Sequence, residues 1–155
     1  MRSLPVKIIL SALIMLMLGG LGSYFTSSSI ASWYVTLERP PGTPPNWLFG
    51  PVWSVLYILI GVSFALVWHG GELGKNRLTF LFFTQLILNL GWSPVFFGAH
   101  QIMLALVVIL LMWIFIALTI RAFAQVSKPA AYLLIPYLIW VSYATYLNAG
   151  YAYLN

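Results

Sequence analysis

The stretch IMLALVVILLMWIFIALTIRAF, residues 102–123, decides the fold. It is apolar without a break until Thr119 and uncharged until Arg121. As a helix rising about 1.5 Å per residue it crosses the roughly 30 Å hydrocarbon core of a bilayer. Working outward, similar runs recur at about 6–24, 49–68, 78–97 and 130–151. The chain is 62% hydrophobic and 6% charged, whereas a soluble domain is about 25% charged. These numbers predict an all-α membrane protein, a five-transmembrane-helix bundle forming one integral membrane domain over residues 1–155.

The boundaries follow from local chemistry. Arg2 and Lys7 ahead of Ile8–Leu18 have the layout of a signal peptide, but Ile30-Ala31-Ser32 is a poor cleavage site, so the first helix is expected to be retained. Ser27-Ser28-Ser29 is expected to end it in a turn. Pro51 suits the first turn of the second helix, where its missing N–H costs nothing. Gly70-Gly71 closes that helix, Pro94 interrupts the third near its end, and residues 98–101 form a tight turn. Pro136 is expected to kink the fifth span unless a neighbour satisfies the carbonyl it frees.

Charge sets the expected orientation. Arg2, Lys7, Lys75, Arg77, Arg121 and Lys128 fall at one end of the bundle and Arg39 alone at the other. In a cytoplasmic membrane this places the N-terminus in the cytoplasm and the 33–53 loop outside. Basic residues so scattered fit topology and headgroup contacts, not nucleic-acid binding.

Much chemistry is excluded. There is no cysteine, and the only acids, Glu38 and Glu72, lie in loops. Ion-coupled pumping needs an ionisable group within the membrane, and no carboxylate pair, nucleophile–base set or metal-ligand cluster is present. His69 and His100 lie at span ends, where an interfacial histidine is a simpler reading than a haem ligand.

What remains is aromatic and polar patterning. Residues 33–53 hold five of the nine prolines and three of the seven tryptophans. Proline fixes φ and removes a donor, so this loop is stiff and suits a lid over an apolar site. On the third helix Gln85, Asn89 and Ser93 share a face at i, i+4, i+8 and must point into the bundle, either as interhelical glue or as orienting groups for a ligand. Trp53, Tyr57 and Phe64 share a face of the second helix; Tyr137, Trp140, Ala144 and Asn148 share one on the fifth. Such stripes fill cores, and they also make flat walls for a planar ligand. Gly19, Gly22 and Ser23 permit close helix approach, expected as packing inside the bundle.

These residues carry a resemblance. Trp33-Tyr34, Pro40, Pro44-Pro45, Phe49-Gly50-Pro51, Val52-Trp53 and Leu56-Tyr57 form the first string. Leu88-Asn89, Trp92-Ser93-Pro94 and Phe96-Phe97-Gly98 form the second, and Pro136-Tyr137, Trp140, Ala144 and Leu147-Asn148 the third. In this order they resemble the tryptophan-rich sensory protein family, which includes the mitochondrial translocator protein. The resemblance implies a homodimer of five-helix bundles in a bacterial membrane, with porphyrin or haem as ligand and no required cofactor. It places the pocket at Tyr34, Pro45, Trp53, Tyr57, Asn89, Trp92, Ser93, Phe96, Trp140 and Ala144. The stripes add Tyr137 and Asn148. The sterol-recognition pattern of animal members needs a basic residue after a Tyr, and Tyr151-Ala-Tyr-Leu-Asn155 has none, which speaks against sterol binding.

Three functions remain open. The first is a membrane receptor or carrier for tetrapyrroles such as protoporphyrin IX, with Trp53 and Trp140 stacking on the macrocycle, Asn89 and Ser93 orienting it, and Arg39 attracting a propionate. The second is light-dependent porphyrin breakdown using Trp53 and Trp140. The third is a structural or stress-signalling protein that meets lipid incidentally.

Overall fold

The computed structural model describes residues 3–74 and 76–155. Arg2 and Lys75 of the basic set lie outside them. The described residues form helices joined by short turns, without a strand, and five of the helical segments are long and apolar enough to cross a membrane.

Helix α1 is Leu4–Ile30, about two turns longer than the sequence suggests. The Ser-rich segment does not end it. The hydroxyls of Ser27 and Ser28 donate to the carbonyls of Tyr24 and Phe25, at 3.1 and 3.0 Å, which helical backbone accommodates. Ser29 reaches out of the helix, donating to the Phe97 carbonyl at 2.5 Å.

After a 3₁₀ turn at Asn46–Leu48, α2 runs Phe49–His69 with Pro51 in its first turn. Gly71 then takes φ 78°, a conformation glycine adopts without penalty. Helix α3, Asn76–Ser93, continues as a π-helical turn over Pro94–Gly98, closed by Ala99 N donating to Pro94 O at 2.8 Å. The interruption expected at Pro94 is thus a widening of the helix, which keeps Phe96 and Phe97 buried. Helix α4 is Ile102–Ala124.

The fifth span divides into α5, Lys128–Leu133, and α6, Ile135–Leu154. Pro136 has no N–H for the carbonyl of Tyr132, and the chain breaks at Leu134. The Leu134 amide bonds instead to Ala131 O, and the carbonyl of Ala130 is taken by Ser63 Oγ of α2 at 2.7 Å. The break is the kink expected at Pro136; the Ser63 contact serves the Ala130 carbonyl, not the Tyr132 carbonyl that Pro136 frees.

The spans close a ring in which α1 packs on α2 and α3, α4 packs on α3 and on both pieces of the fifth span, and the fifth span returns to α2. Inside lie Ile60, Phe82, Ile109, Met112, Ile116, Phe123, Tyr137 and Val141, all buried. Outside, Ile9, Leu13, Met17 and Leu21 of α1, Ile87 of α3 and Met103, Val107 and Leu111 of α4 are exposed. Apolar residues on both surfaces are what a bilayer solvent requires.

Helices α1 and α2 meet most closely at Gly61, where a Cβ would come within 2.7 Å of Ala12 Cα and 2.8 Å of Ser11 O. Gly19 one crossing further on lies flat against the ring of Tyr57. Gly19 therefore serves packing within the bundle.

Candidate functional site

Beyond Gly19 the two helices part, and a cavity of about 330 Å³ opens at the loop end of the bundle. Its walls are Gly22, Ser23 and Thr26 of α1, Phe49, Trp53 and Tyr57 of α2, and Asn89, Trp92, Ser93 and Phe97 of α3 and its π turn. Asn46 and Trp47, from the end of the Pro-rich loop, complete it. No acidic or basic side chain is among the lining residues.

A buried polar chain forms the floor. Tyr57 OH donates to Asn89 Oδ1 at 2.5 Å, Asn89 Nδ2 donates to Tyr137 OH at 2.6 Å, and Tyr137 OH donates to Gln85 Oε1 at 2.9 Å. Three helices thus converge on one carboxamide, and Asn89 is fixed in rotamer and in amide orientation. Thr26 Oγ1 and Ser93 Oγ lie 2.9 Å apart, and Ser93 donates to Gly22 O at 3.0 Å, which locks α1 to α3 beside the cavity. The carboxamide oxygen of Asn46 is buried with no hydrogen-bond partner among the described residues. Asn46 was not singled out in the sequence; its signal is a lone amide between a proline pair and Trp47.

The Pro-rich loop covers the end of α6 and is fastened there. Tyr143 OH donates to Gly42 O, and Tyr146 OH to Pro41 O at 2.8 Å. Asn155 holds Glu38 from both sides, accepting from its amide at 2.9 Å and donating to its carbonyl at 3.1 Å. Pro40 is buried against Gly150. Tyr34 is buried beside it, accepting a 2.7 Å hydrogen bond from Tyr151 OH. Burial, and then the Tyr151 contact, push the Tyr34 phenol well above its ordinary range. The Arg39 guanidinium lies 5.7 Å over the Tyr34 ring.

The TspO/MBR family profile matches residues 11–154. The chain belongs to this family. It is 49% identical over 144 residues to the tryptophan-rich protein TspO of Chlorobaculum tepidum, covering 90% of each chain. The protein of the same name from Archaeoglobus fulgidus is 44% identical, over 96% of this chain and 97% of its own. The translocator protein of Bos taurus is 42% identical, over 84% and 80%. The protein is an integral, multi-pass membrane protein of the TspO/MBR family, and the resemblance read from its sequence holds over nearly the whole chain.

This family member places its predicted site residues in three groups. Trp53, Tyr57, Asn89, Trp92 and Ser93 line the cavity together. Tyr34, Phe96, Ala144 and Asn148 instead border a much smaller gap of about 20 Å³ under the loop, which shares Phe49, Trp92 and Phe97 with the cavity. Asn148 steers one of those shared walls, accepting from Trp92 Nε1 at 3.0 Å while donating to Ile102 O at 3.0 Å. The third group lines neither. Tyr137 stands behind Trp53, ring centres 6.3 Å apart, and holds Asn89. Trp140 packs edge-on against Phe49 and Tyr143, and its indole N–H is buried without a partner among the described residues. Pro45 is exposed at the start of the 3₁₀ turn.

His100 takes φ 56° in the α3–α4 turn, and its imidazole stacks on Trp33 with centroids 4.1 Å apart. That contact pins the start of the loop to the π turn.

Proposed function

We propose that this TspO/MBR protein is a membrane receptor or carrier that holds a flat apolar ligand of the tetrapyrrole class in the cavity between α1, α2 and α3. One observation carries the reading: a cavity of about 330 Å³ whose walls are Trp53, Tyr57, Trp92, Phe97 and Phe49 and whose polar floor is held rigid. Aromatic rings bury large areas at little entropic cost and stack on a planar partner. With no acidic or basic side chain in the walls, the carboxylates of a tetrapyrrole belong outside them, at the loop end of the bundle that also carries Arg39.

The test is a dark titration of protoporphyrin IX into purified protein, followed by tryptophan quenching, beside Trp53→Ala and Trp113→Phe. Saturable binding that Trp53→Ala loses and Trp113→Phe keeps supports the reading. Equal quenching in all three, rising linearly, rejects it in favour of partitioning into apolar surface.

A second reading is light-dependent oxidation of the bound porphyrin with dioxygen as oxidant. The observation that favours it is Trp53, an oxidisable indole at the cavity wall 5.7 Å from Tyr57. Breakdown that continues under illumination without oxygen rejects it.

A further inference from the structure

The loop that ought to act as a lid is bolted down. Five contacts tie it to α6: Tyr143 to Gly42, Tyr146 to Pro41, Asn155 to both polar groups of Glu38, and Pro40 to Gly150. Opening it means breaking all of them together. The cavity is nevertheless open, on a different side.

Its floor is buried at Tyr57, Asn89, Ser93 and Phe97, whereas Ser23 and Ser27 of α1, Trp47 ahead of α2 and Gly50 in the first turn of α2 are exposed. These four residues outline a rim on the flank of the bundle, between α1 and α2. A Cβ added to Gly50 would meet nothing within 4 Å. The rim is also chemically fit to face acyl chains. Ser23 donates to Gly19 O at 3.3 Å and Ser27 to Tyr24 O at 3.1 Å, so neither hydroxyl needs water. Trp47, 71% exposed, stands where an indole meets the headgroup level. The gap narrows to closure at Gly19 and Gly61, so it is a wedge confined to the leaflet on the loop side.

We propose that the cavity is loaded sideways: its occupant, a molecule already dissolved in the bilayer and uncharged in the part that enters, passes from that leaflet between α1 and α2 while the loop stays fastened. This rests on the cavity being the ligand site.

The chain has no cysteine, so a single engineered pair can lock the loop. A Cβ on Gly150 would lie 2.5 Å from Pro40 Cβ, and a disulfide wants about 3.8 Å, so the loop and α6 must part slightly to accept the bridge. In liposomes, oxidised Pro40→Cys/Gly150→Cys should take up protoporphyrin IX with an association rate within about twofold of wild type. Ser23→Phe, which fills the rim, should slow it about tenfold or more, and Ser23→Ala should not. A locked loop that stops uptake, with Ser23→Phe as fast as wild type, overturns the proposal.

If wild type shows no saturable porphyrin binding, the porphyrin reading falls separately, and brominated acyl-chain phosphatidylcholine decides the side route. Quenching of the Trp53 component, taken as the difference from Trp53→Phe, should persist in the locked protein and fall in Ser23→Phe. No quenching of Trp53 overturns the proposal.

Discussion

Lys7 and Trp68 join α1 to the far end of α2: the Lys7 ammonium lies 4.8 Å over the centre of the Trp68 indole and 3.5 Å from the Trp68 carbonyl oxygen. Lys7 is buried, and its charge serves both the ring face and the negative end of α2. Lys7→Met is expected to lower stability by about 1 kcal/mol, the scale of one such contact, while Lys7→Arg retains most of it. Unfolding in detergent measures this, and porphyrin affinity should not move, because the cavity is at the other end.

Gly61→Ala and Gly20→Ala should differ in sign. At Gly61 the new methyl meets the backbone of Ser11 and Ala12, which cannot swing aside, so the crossing must open at about 1–3 kcal/mol. At Gly20 it meets nothing, and a helical Gly→Ala gains about 0.5–1 kcal/mol. Thermal unfolding of the pair checks both.

Asn89→Leu should destabilise more than Tyr57→Phe. The first leaves the buried Tyr57 hydroxyl without its partner and takes one of two partners from Tyr137, at about 1–3 kcal/mol. The second removes one interhelical hydrogen bond, about 0.6 kcal/mol in a membrane. Denaturation compared with Gln85→Leu shows whether the loss is confined to the Asn89 junction.

Arg39→Glu is expected to weaken porphyrin binding more at low salt than at high, since an exposed charge acts through screened Coulomb attraction. An unchanged affinity at both salt levels would remove Arg39 from recognition.

Tyr34 predicts an alkaline limit for the loop. Its phenol is raised in the folded protein above the ordinary value of 10.0. The unfolded chain therefore loses that proton first, and the stability Tyr34 contributes is intact below pH 10.0 and falls as pH rises beyond it. Tyr34→Phe should show a shallower loss of stability above that pH than wild type.

The spans were legible because uninterrupted apolar runs admit little else. The Ser27–Ser29 segment was not, because hydroxyls that favour turns also back-bond within a helix, and only the Ser29–Phe97 contact settles which. On the site, the α2 and α3 walls follow from helical spacing, since Trp53 with Tyr57, and Asn89 with Ser93, each fall four apart on one face. The α1 wall escaped notice because glycine and serine read as packing. Its signal was present, with Gly19, Gly22, Ser23 and Thr26 at i, i+3, i+4 and i+7 on an otherwise apolar helix. Where Trp140 points depends on the break at Leu134, and no spacing rule supplies that register.

Among the described residues, each Lys, Arg, Asp and Glu side chain sits at a helix end or in a loop. A charge carried across a bilayer couples to the membrane voltage at about 2.3 kcal/mol per 100 mV, and here the described protein offers the field nothing to pull on in mid-bilayer. Occupancy of the cavity by a neutral molecule should be blind to transmembrane potential. Any voltage dependence seen in vesicles would then report the charge of the cargo itself.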